Sequence, residues 1–336
     1  MDSSTNRPKV SVLVTTYNHA PFVRESLDSL ATQSYRDFEI IITDDASTDG
    51  TPDLIQRWLD ETGTPAHFIR NPINRGICAN RNTALSIAQG EFLCSLSGDD
   101  AYEPERIARQ LECFAHQPPD VAVVYSDMRM VDARGRRLDI TFLEYQLGKE
   151  PAPENRVFHR LLHGSFMPAP AVMVRRACLN EAGYYDETLF HEDYDMWLRL
   201  SALFRFRFLP GRLVRYRVLL TSMSHSPVFR TANLTSTLRV LQSWQGKAGE
   251  GDSRLSWNIG RRQIHLHLDL EGLRTLSLAA RNLGSKFRLL VVLLRLPGAC
   301  SAARTVYRIL SLRSLLRRRW YLWRATRSGQ VTHSSL

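Results

Sequence analysis

The N-terminal third of the chain alternates short apolar runs with stretches in which apolar residues recur every three or four positions. The runs at 10–18, 38–44 and 91–96 are apolar and end in polar residues, which is typical of buried strands. The stretches at 20–33 and 78–89 have helical spacing. Alternating strands and helices imply a parallel sheet with helices on both faces, so this pattern predicts an α/β fold.

Polar loops follow three of the predicted strands and read TTYNHA, TDDASTDGT and SGDD. Ligands of parallel sheets bind at the carboxyl ends of the strands, so we expect these loops to converge on one site. Two acidic pairs lie in them, Asp44 with Asp45 and Asp99 with Asp100. Carboxylates accept hydrogen bonds from a base or ribose, or hold a divalent cation that neutralises phosphate. Each pair taken alone is equally compatible with a helix cap or a solvated turn.

The first loop contains no glycine, so the GxGxxG dinucleotide fingerprint is absent and the pattern argues against an NAD or FAD enzyme. The five cysteines are scattered without metal-binding spacing, which favours free thiols in a reducing compartment. The N-terminus lacks the apolar segment of a signal peptide, and the apolar run at 289–294 is far shorter than the ~20 residues of a spanning helix. We therefore expect a cytoplasmic protein.

Three segments of the chain resemble, in order, the characteristic segments of inverting family 2 glycosyltransferases. They read VSVLVTTYNHAPFVRESLDSLATQSYRDFEIIITDDASTDGT, NRGICANRNTALSIAQGEFLCSLSGDD and GYYDETLFHEDYDMWLRL, and together they cover roughly 9–225. The resemblance implies the GT-A fold, with a mostly parallel mixed sheet and helices on both faces. It also implies a catalytic domain at 1–228, with a nucleotide-binding part to about 103 and an acceptor part at 104–228. Beyond this domain the resemblance lapses, and the sequence pattern predicts a basic, mostly helical extension at 229–336.

The resemblance implies a nucleotide-sugar donor, UDP- or dTDP-linked, and assigns residues to it. Thr15 and Tyr17 would line the base and ribose pocket, and Asp45 would meet the uracil or thymine edge or the ribose. Asn74, Gly76 and Arg81 would stand near the nucleotide or the donor sugar, with Gly76 allowing close backbone approach. The alternative for the first three residues is loop packing, and the alternative for Arg81 is a surface charge on its helix.

The family usually has Asp-x-Asp where this chain has Ser97, Gly98 and Asp99, so the first carboxylate is missing. By resemblance Asp99 would contact Mg²⁺ or Mn²⁺, and one carboxylate with diphosphate and water is chemically adequate. We expect Asp100 to cap the following helix, or to help orient the residues around the ion. A second departure is Leu219, which stands where family members often carry a histidine.

The segment FHEDYDMWLRL contains the residue that the resemblance identifies as the general base, Asp193. A sugar hydroxyl has a pKa far above neutrality, so its proton must be removed as it attacks the anomeric carbon. The alternative for Asp193 is a helix N-cap. We assign Glu192 and Trp197, like Asp100, to acceptor-side or supporting roles, and expect Trp197 to pack inward.

The net charge of +10 comes from the C-terminal part of the chain. No Asp or Glu follows Glu271, whereas thirteen of the 44 Lys and Arg residues lie from Arg274 to Arg327, so the remainder carries −3. The stretch at 305–327 predicts an amphipathic helix with Trp and Leu beside arginines, which is typical of a helix on an anionic membrane surface. Packing on the catalytic domain is the alternative. No nucleic-acid motif accompanies the arginines, so we predict no nucleic-acid partner.

We therefore predict a metal-dependent, inverting transferase that acts on a glycan or lipid-linked acceptor of cell-envelope polysaccharide synthesis, in the cytoplasm or peripherally on the membrane. A sugar-phosphate nucleotidyltransferase is one alternative, although the loop VTTYNHAP lacks the Gly-rich phosphate loop with Lys or Arg of such enzymes. A catalytically weak donor-binding scaffold is another, motivated by Ser97 and Leu219.

Overall fold

The structure is a computed structural model that describes residues 7–219, 221–224, 226–249, 252–266 and 269–283, with a few positions between 290 and 301. Its strands are β1 (Val10–Thr16), β2 (Phe38–Asp44), β3 (His67–Arg70), β4 (Phe92–Ser97), β5 (Ala101–Tyr102), β6 (Val121–Val131), β7 (Arg137–Thr141), β8 (Val172–Arg175) and β9 (Arg205–Arg217). Its helices are α1 (Val23–Ala31), α2 (Thr51–Thr62), α3 (Ile77–Ile87), α4 (Arg106–Ala115), α5 (Phe142–Leu147), α6 (Phe158–Leu161), α7 (Arg176–Ala182), α8 (Asp193–Leu203), α9 (Arg230–Ser243), α10 (Asp252–His265) and α11 (Asp269–Leu283).

The main sheet is mixed, and its path runs β3-β2-β1-β4-β8-β6-β9-β5. β1 pairs in parallel with β2 and β4, and β2 pairs in parallel with β3, as the alternating pattern predicts. β8 is antiparallel to both β4 and β6, whereas β9 is parallel to β6. In the parallel half, Thr15 at the end of β1 lies beside Thr43 and Ser97, so three strands end at one edge.

Helices cover both faces of this sheet. Side chains alternate along β1, so Val12 and Val14 face α1 and α2 in one core that includes Leu27 and Trp58. Leu13 points to the opposite face, where it lines a cavity of about 10 Å³ together with α3 and α8 side chains. The residues around this cavity are Leu13, Leu85, Leu93, Ser95, Ala169, Val172, Val174, Leu179, Tyr185 and Trp197. α3 and α8 therefore lie against the same face of β1 and β4.

The chain divides into two compact units, the first comprising 1–136, 141–158 and 166–219. The second comprises 137–140, 159–165 and 220–336, and its described part contains α9, α10 and α11. Within it α10 and α11 approach closely at two glycines, because a Cβ on Gly272 would lie 2.8 Å from the carbonyl oxygen of Gly260. Among the described residues no helix has the length and apolarity needed to cross a membrane. The amphipathic stretch predicted at 305–327 lies outside the described residues.

Candidate active site

The loops after β1 and β2 are hydrogen-bonded to each other at the carboxyl edge of the sheet. The backbone nitrogen of Asn18 donates to Ser47 Oγ at 2.8 Å, and that of His19 donates to Thr51 Oγ1 at 2.9 Å. The loop after β4 joins them, since the Gly98 backbone nitrogen donates to the Thr15 carbonyl at 3.0 Å. The three polar loops therefore converge, as the parallel strand order predicts.

Thr15 and Tyr17 differ in their exposure at this edge. Thr15 is buried, and its Oγ1 finds no hydrogen-bond partner among the described residues. The Tyr17 ring is exposed, as is Ile73 in the loop before α3. An apolar surface beside a buried unsatisfied hydroxyl suits a flat ligand with polar edges, such as a nucleoside. The assignment of both residues to the base and ribose pocket stays a prediction.

The carboxylates of Asp44 and Asp45 have different partners. Asp44 Oδ2 accepts from Thr16 Oγ1 at 2.7 Å and from Ser47 Oγ at 2.6 Å, so it holds the two strand ends together. The adjacent Asp45 is buried and organises the loop that leads into α3. Its Oδ1 accepts from Asn71 Nδ2 at 3.0 Å and from the Arg75 backbone nitrogen at 2.9 Å, and its Oδ2 accepts from the Gly76 backbone nitrogen at 2.8 Å.

Asp45 keeps one unused acceptor position, because a carboxylate has about four lone-pair positions and the protein occupies three of them. Asn74 and Gly76 lie in the loop that Asp45 holds, and both are exposed. Asn74 Oδ1 accepts from the Gly76 backbone nitrogen at 3.2 Å. Gly76 has φ of +84°, a value that side chains disfavour, and it directly precedes α3. The roles of these three residues toward a donor stay predictions.

At the end of β4, Asp99 lies close to the first loop. Its Oδ1 is 3.9 Å from His19 Nε2, and both side chains are partly buried. Gly98 leaves space for the imidazole, since a Cβ at this position would lie 2.7 Å from His19 Nδ1. Within the described residues, no group of three or more His, Cys, Asp or Glu side chains is arranged to hold a metal ion. Asp99 is therefore a carboxylate without a surrounding protein cage.

The prediction that Asp100 caps the following helix is wrong. α4 begins at Arg106 with Glu105 at its N-cap, and no side chain caps it. Asp100 is instead buried, and its Oδ1 accepts from the backbone nitrogen of Arg217 at 2.9 Å. Burial, with the neighbouring Asp99 charge, raises the pKa of the Asp100 carboxyl well above its ordinary value. The other role considered for Asp100, orienting the residues around Asp99, fits this contact and stays a prediction.

Arg217, at the end of β9, is a residue of the site that sequence reasoning missed. Its Nε donates to the Asp99 carbonyl at 3.0 Å, and its Nη1 donates to the Asp132 carbonyl at 3.1 Å. Its Nη2 donates to the Glu25 carboxylate. The guanidinium is almost fully buried and stacks over the Phe22 ring at 4.7 Å. The one signal in the sequence that could have indicated Arg217 was its place at the end of a strand, two residues before Leu219.

The second part of the site is the start of α8, where Glu192 precedes the helix and Asp193 is its first residue. Glu192 occupies the N-cap position, so Asp193 is not the cap. Arg81 reaches Glu192 from α3, with Nη1 3.1 Å from Oε1, and only 6% of the Arg81 side chain is exposed. Arg81 is therefore not a surface charge.

The charges around Asp193 affect its proton affinity in opposite directions. Burial, followed by the Glu192 charge, raises the pKa of Asp193, while His191 and Arg81 oppose this. Burial alone would lower the pKa of the Arg81 guanidinium, but Glu192, Tyr185 and Asp193 outweigh it and raise the pKa. A partly buried carboxylate with raised pKa beside a buried cation is an arrangement typical of catalytic acids and bases.

α3 also holds the chain segment that leads into α8. Asn82 Nδ2 donates to the Tyr185 carbonyl at 2.9 Å, and the Tyr185 backbone nitrogen donates to Asn82 Oδ1 at 3.0 Å. Cys78 Sγ donates to the Leu189 carbonyl at 3.4 Å, and burial, with the nearby Glu192, raises the pKa of this thiol to about 12. Trp197 is buried as expected, and its Nε1 finds no partner in the described part of the chain.

The chain matches a known family in sequence. The sequence profile of glycosyl transferase family 2 matches residues 11–182. The uncharacterized glycosyltransferase MJ1057 of Methanocaldococcus jannaschii is 28% identical over 224 residues, which cover 65% of this chain and 73% of that protein. Alignments with four curated relatives cover 63 to 73% of the relatives' own lengths.

Solved structures show the same fold. TarS 1-349 of S. aureus, in complex with UDP-GlcNAc, has a TM-score of 0.63 at 20% identity and covers 89% of this chain and 91% of its own. The mannosyltransferase PcManGT of Pyrobaculum calidifontis, in complex with GDP-Man and Mn²⁺, has a TM-score of 0.57 at 21% identity and covers 96% of this chain and 87% of its own. The family match over half of the chain and this architecture agree, and the chain belongs to glycosyl transferase family 2 with the GT-A fold.

Proposed function

We propose that the protein is an inverting glycosyltransferase that moves a sugar from a nucleoside diphosphate donor to a hydroxyl group of a glycan or lipid-linked acceptor. The observation that carries this proposal is the Asp193 carboxylate, which is partly buried beside the Arg81–Glu192 ion pair and has a raised pKa. Membership of glycosyl transferase family 2 supports the class of reaction.

In the proposed reaction Asp193 takes the proton of the acceptor hydroxyl as that oxygen forms a bond to the anomeric carbon. The bond from this carbon to the diphosphate oxygen breaks, and its electron pair leaves with the diphosphate. The products are the glycosylated acceptor, the nucleoside diphosphate and protonated Asp193, which returns its proton to solvent. One displacement inverts the anomeric carbon and needs one carboxylate base, whereas glycosidases place two carboxylates around the bond they cleave.

The end of β4 fits a divalent cation, Mg²⁺ or Mn²⁺, held mainly through the donor diphosphate. Asp99 would be its carboxylate ligand, since this side chain is partly exposed and Asp100 is buried and hydrogen-bonded to Arg217. Mg²⁺ usually keeps several waters and takes one or two carboxylates with substrate phosphates, so one carboxylate is adequate. When bound, the ion would supply positive charge that stabilises the departing diphosphate. The mannosyltransferase complex, which contains Mn²⁺, supports this assignment.

For the donor we propose a UDP- or dTDP-sugar, bound by Thr15, Tyr17 and Asp45 at the base and ribose. Asn74 and Gly76 would meet the nucleotide from the loop before α3, and Arg81 would stand near the sugar. The buried, unpartnered Thr15 hydroxyl and the remaining acceptor position on Asp45 support these roles. The TarS complex contains UDP-GlcNAc, which supports a uridine donor.

The acceptor side would be formed around Glu192 and Trp197, at the start of α8. We propose that 1–228 forms the catalytic domain and that the basic segment at 229–336 brings it to an anionic membrane in the cytoplasm, where lipid-linked acceptors lie. The concentration of positive charge after Glu271 supports this membrane role.

A donor-binding scaffold without turnover is the second candidate, because Ser97 replaces a carboxylate of the family pattern. Nothing in the site favours a nucleotidyltransferase, and membership of glycosyl transferase family 2 removes the basis for that alternative.

The decisive experiment incubates the full chain with Mn²⁺ and a panel of UDP-, dTDP- and GDP-sugars, and measures released nucleoside diphosphate with and without candidate glycan and lipid-linked acceptors. Sugar transfer with an inverted anomeric configuration, determined by NMR, is the expected result. Donor binding without release of nucleoside diphosphate would favour the scaffold, and retention of configuration would contradict the single displacement.

A further inference from the structure

His19 and Asp99 face each other across a short gap at the end of β1 and β4. The distance of 3.9 Å between His19 Nε2 and Asp99 Oδ1 is too long for a direct hydrogen bond. Two adjacent ligands of an octahedral ion with bonds of about 2.1 Å lie about 3 Å apart. A shift of less than about 1 Å would therefore allow both atoms to bind the same cation.

The backbone of His19 is held by hydrogen bonds on both sides of its peptide unit. The His19 nitrogen donates to Thr51 Oγ1 at 2.9 Å, and its carbonyl accepts from the nitrogens of Phe22 and Val23, both at 2.9 Å. On the other side, Gly98 gives the ring its space, because a Cβ there would lie 2.7 Å from His19 Nδ1. The His19 ring can therefore occupy this position only because residue 98 is a glycine.

The two atoms that face each other across the gap, His19 Nε2 and Asp99 Oδ1, are both of types that bind metal ions. His19 Nδ1 is buried without a hydrogen-bond partner among the described residues, and Nε2 faces Asp99 Oδ1 across 3.9 Å. An imidazole nitrogen that carries no proton offers a lone pair to a metal ion. A nitrogen lone pair and a carboxylate oxygen on two sides of one gap are a suitable pair of ligands for a metal ion. Since 20% of the His19 side chain and 13% of the Asp99 side chain are exposed, an ion can reach both from the solvent side.

We propose that His19 is the second protein ligand of the divalent cation and provides part of the coordination that a carboxylate at Ser97 would have given. The proposal rests on the proposed function only in that the donor diphosphate would complete the coordination. An imidazole ligand has a consequence for the choice of metal. Mg²⁺ prefers oxygen ligands, whereas first-row transition ions bind mixed nitrogen and oxygen sites, so the site selects Mn²⁺ over Mg²⁺.

Electron spin echo spectroscopy of bound Mn²⁺ tests this directly, because a coordinated imidazole nitrogen modulates the echo. We expect this modulation in the full chain loaded with Mn²⁺ alone or with Mn²⁺ and UDP. His19→Ala should abolish it and weaken Mn²⁺ binding by about 10- to 100-fold, while Mg²⁺ binding changes less. His67→Ala, on an exposed position of β3, is the matched control and should change neither.

Two further variants separate a ligand from a structural role. Gly98→Ala deletes no ligand but displaces the imidazole, so it should also weaken the nitrogen modulation. Ser97→Asp combined with His19→Ala should restore Mn²⁺ binding without restoring the modulation. Thermal unfolding of each variant identifies any that fail to fold.

Absence of nitrogen modulation in the unaltered chain, or its persistence in His19→Ala, would overturn the proposal. The outcome for the proposed function is read separately, from sugar transfer. If sugar is transferred but the nitrogen modulation persists in His19→Ala, only the proposal of His19 as a metal ligand is refuted. If the modulation depends on His19 but no sugar is transferred, only the proposed transferase function is refuted.

Discussion

The backbone nitrogen of Arg217 donates to the Asp100 carboxylate at 2.9 Å, although the two residues are 117 positions apart in the chain. The Arg217 side chain also donates to the Asp99 carbonyl, so one residue of β9 contacts both residues of the acidic turn at the end of β4. Its ion pair with Glu25 connects this turn to α1. The direction of the Asp99 carboxylate thus depends on a strand from the distant half of the sheet.

We therefore expect Arg217→Met to lower the free energy of unfolding by about 1–3 kcal/mol, because the partly buried carbonyls of Asp99 and Asp132 lose their donor. The same variant should weaken Mn²⁺ binding, since the acidic turn loses its support. Arg215→Met is the control, because Arg215 also pairs with Glu25, at 3.0 Å, but is 38% exposed. Chemical denaturation and Mn²⁺ titration measure the two effects, and equal loss in both variants would contradict the role of Arg217.

Asp193→Asn should remove the proposed base while leaving the donor site intact. We expect kcat to fall by about 10²- to 10⁴-fold, the usual contribution of a positioned base, with little change in donor affinity. Asp195→Asn is a matched control in the same first turn, because Asp195 pairs with Arg199 at 2.8 Å. Nucleoside diphosphate release measures kcat, and calorimetric titration measures donor affinity. Undiminished turnover in Asp193→Asn would show that the base lies elsewhere.

The raised pKa of Asp193 predicts the pH dependence of transfer. The base acts only when deprotonated, so the rate should fall as the pH drops through a pKa above the ordinary value of about 3.9. Glu192→Gln removes a charge that raises this pKa and frees Arg81 to lower it. The acid limb of kcat/KM should therefore move to lower pH in that variant. Glu187→Gln, at an exposed residue, should leave the limb in place, and an unshifted limb in Glu192→Gln would argue against Asp193 as the titrating group.

Truncation tests whether the basic C-terminal segment binds membranes. A variant that ends at Gly298 lacks eight of the thirteen Lys and Arg residues that follow Glu271. We expect the full chain, but not this variant, to float with vesicles that contain anionic phospholipid, and high salt should weaken the binding. Vesicles of neutral phospholipid are the control. Equal flotation of the two proteins, or of neither, would exclude a membrane role for 299–336.

The parallel half of the fold was predictable because its strands are apolar runs that stop at polar loops, as in β1 and β2. The other half was not. β9 reads RFRFLPGRLVRYR, with arginines, a proline and a glycine among its apolar residues, and its pairing partner β6 lies far away in the sequence. β9 is a strand because it pairs with β6, and no local sequence pattern predicts that pairing.

The same distinction applies to the candidate site. Asp45 and Asp99 stand at the ends of strands, so their position alone indicated a ligand edge. Arg217 and the proposed ligand His19 were missed because both are recognised only by contacts with residues far away in the chain. The prediction that Asp100 caps a helix was wrong for a related reason. A carboxylate after a strand fits the local sequence pattern of a helix cap, and only the fold shows that Asp100 instead accepts from the distant Arg217 nitrogen.

The hydrogen bonds between α3 and the segment before α8 predict that one variant changes the KM for the acceptor but not the KM for the donor. Asn82→Ala removes the reciprocal bonds to Tyr185 and the bond from Asn82 Nδ2 to Glu187. We expect a higher KM for the acceptor, because the start of α8 becomes less well placed, and an unchanged KM for the donor. Ser86→Ala, at an exposed α3 residue bonded only within its helix, is the control. A donor KM that rises as much as the acceptor KM would contradict this division.

α3 therefore follows the loop organised by Asp45, and its Arg81 pairs with Glu192, the residue before the proposed base. A nucleotide that ordered this loop would also steady Arg81 and, through it, Glu192. The free energy of donor binding is then partly used to prepare the acceptor side, which favours an ordered reaction in which the donor binds first. Product inhibition would reveal this order, with the nucleoside diphosphate competing against the donor and not against the acceptor.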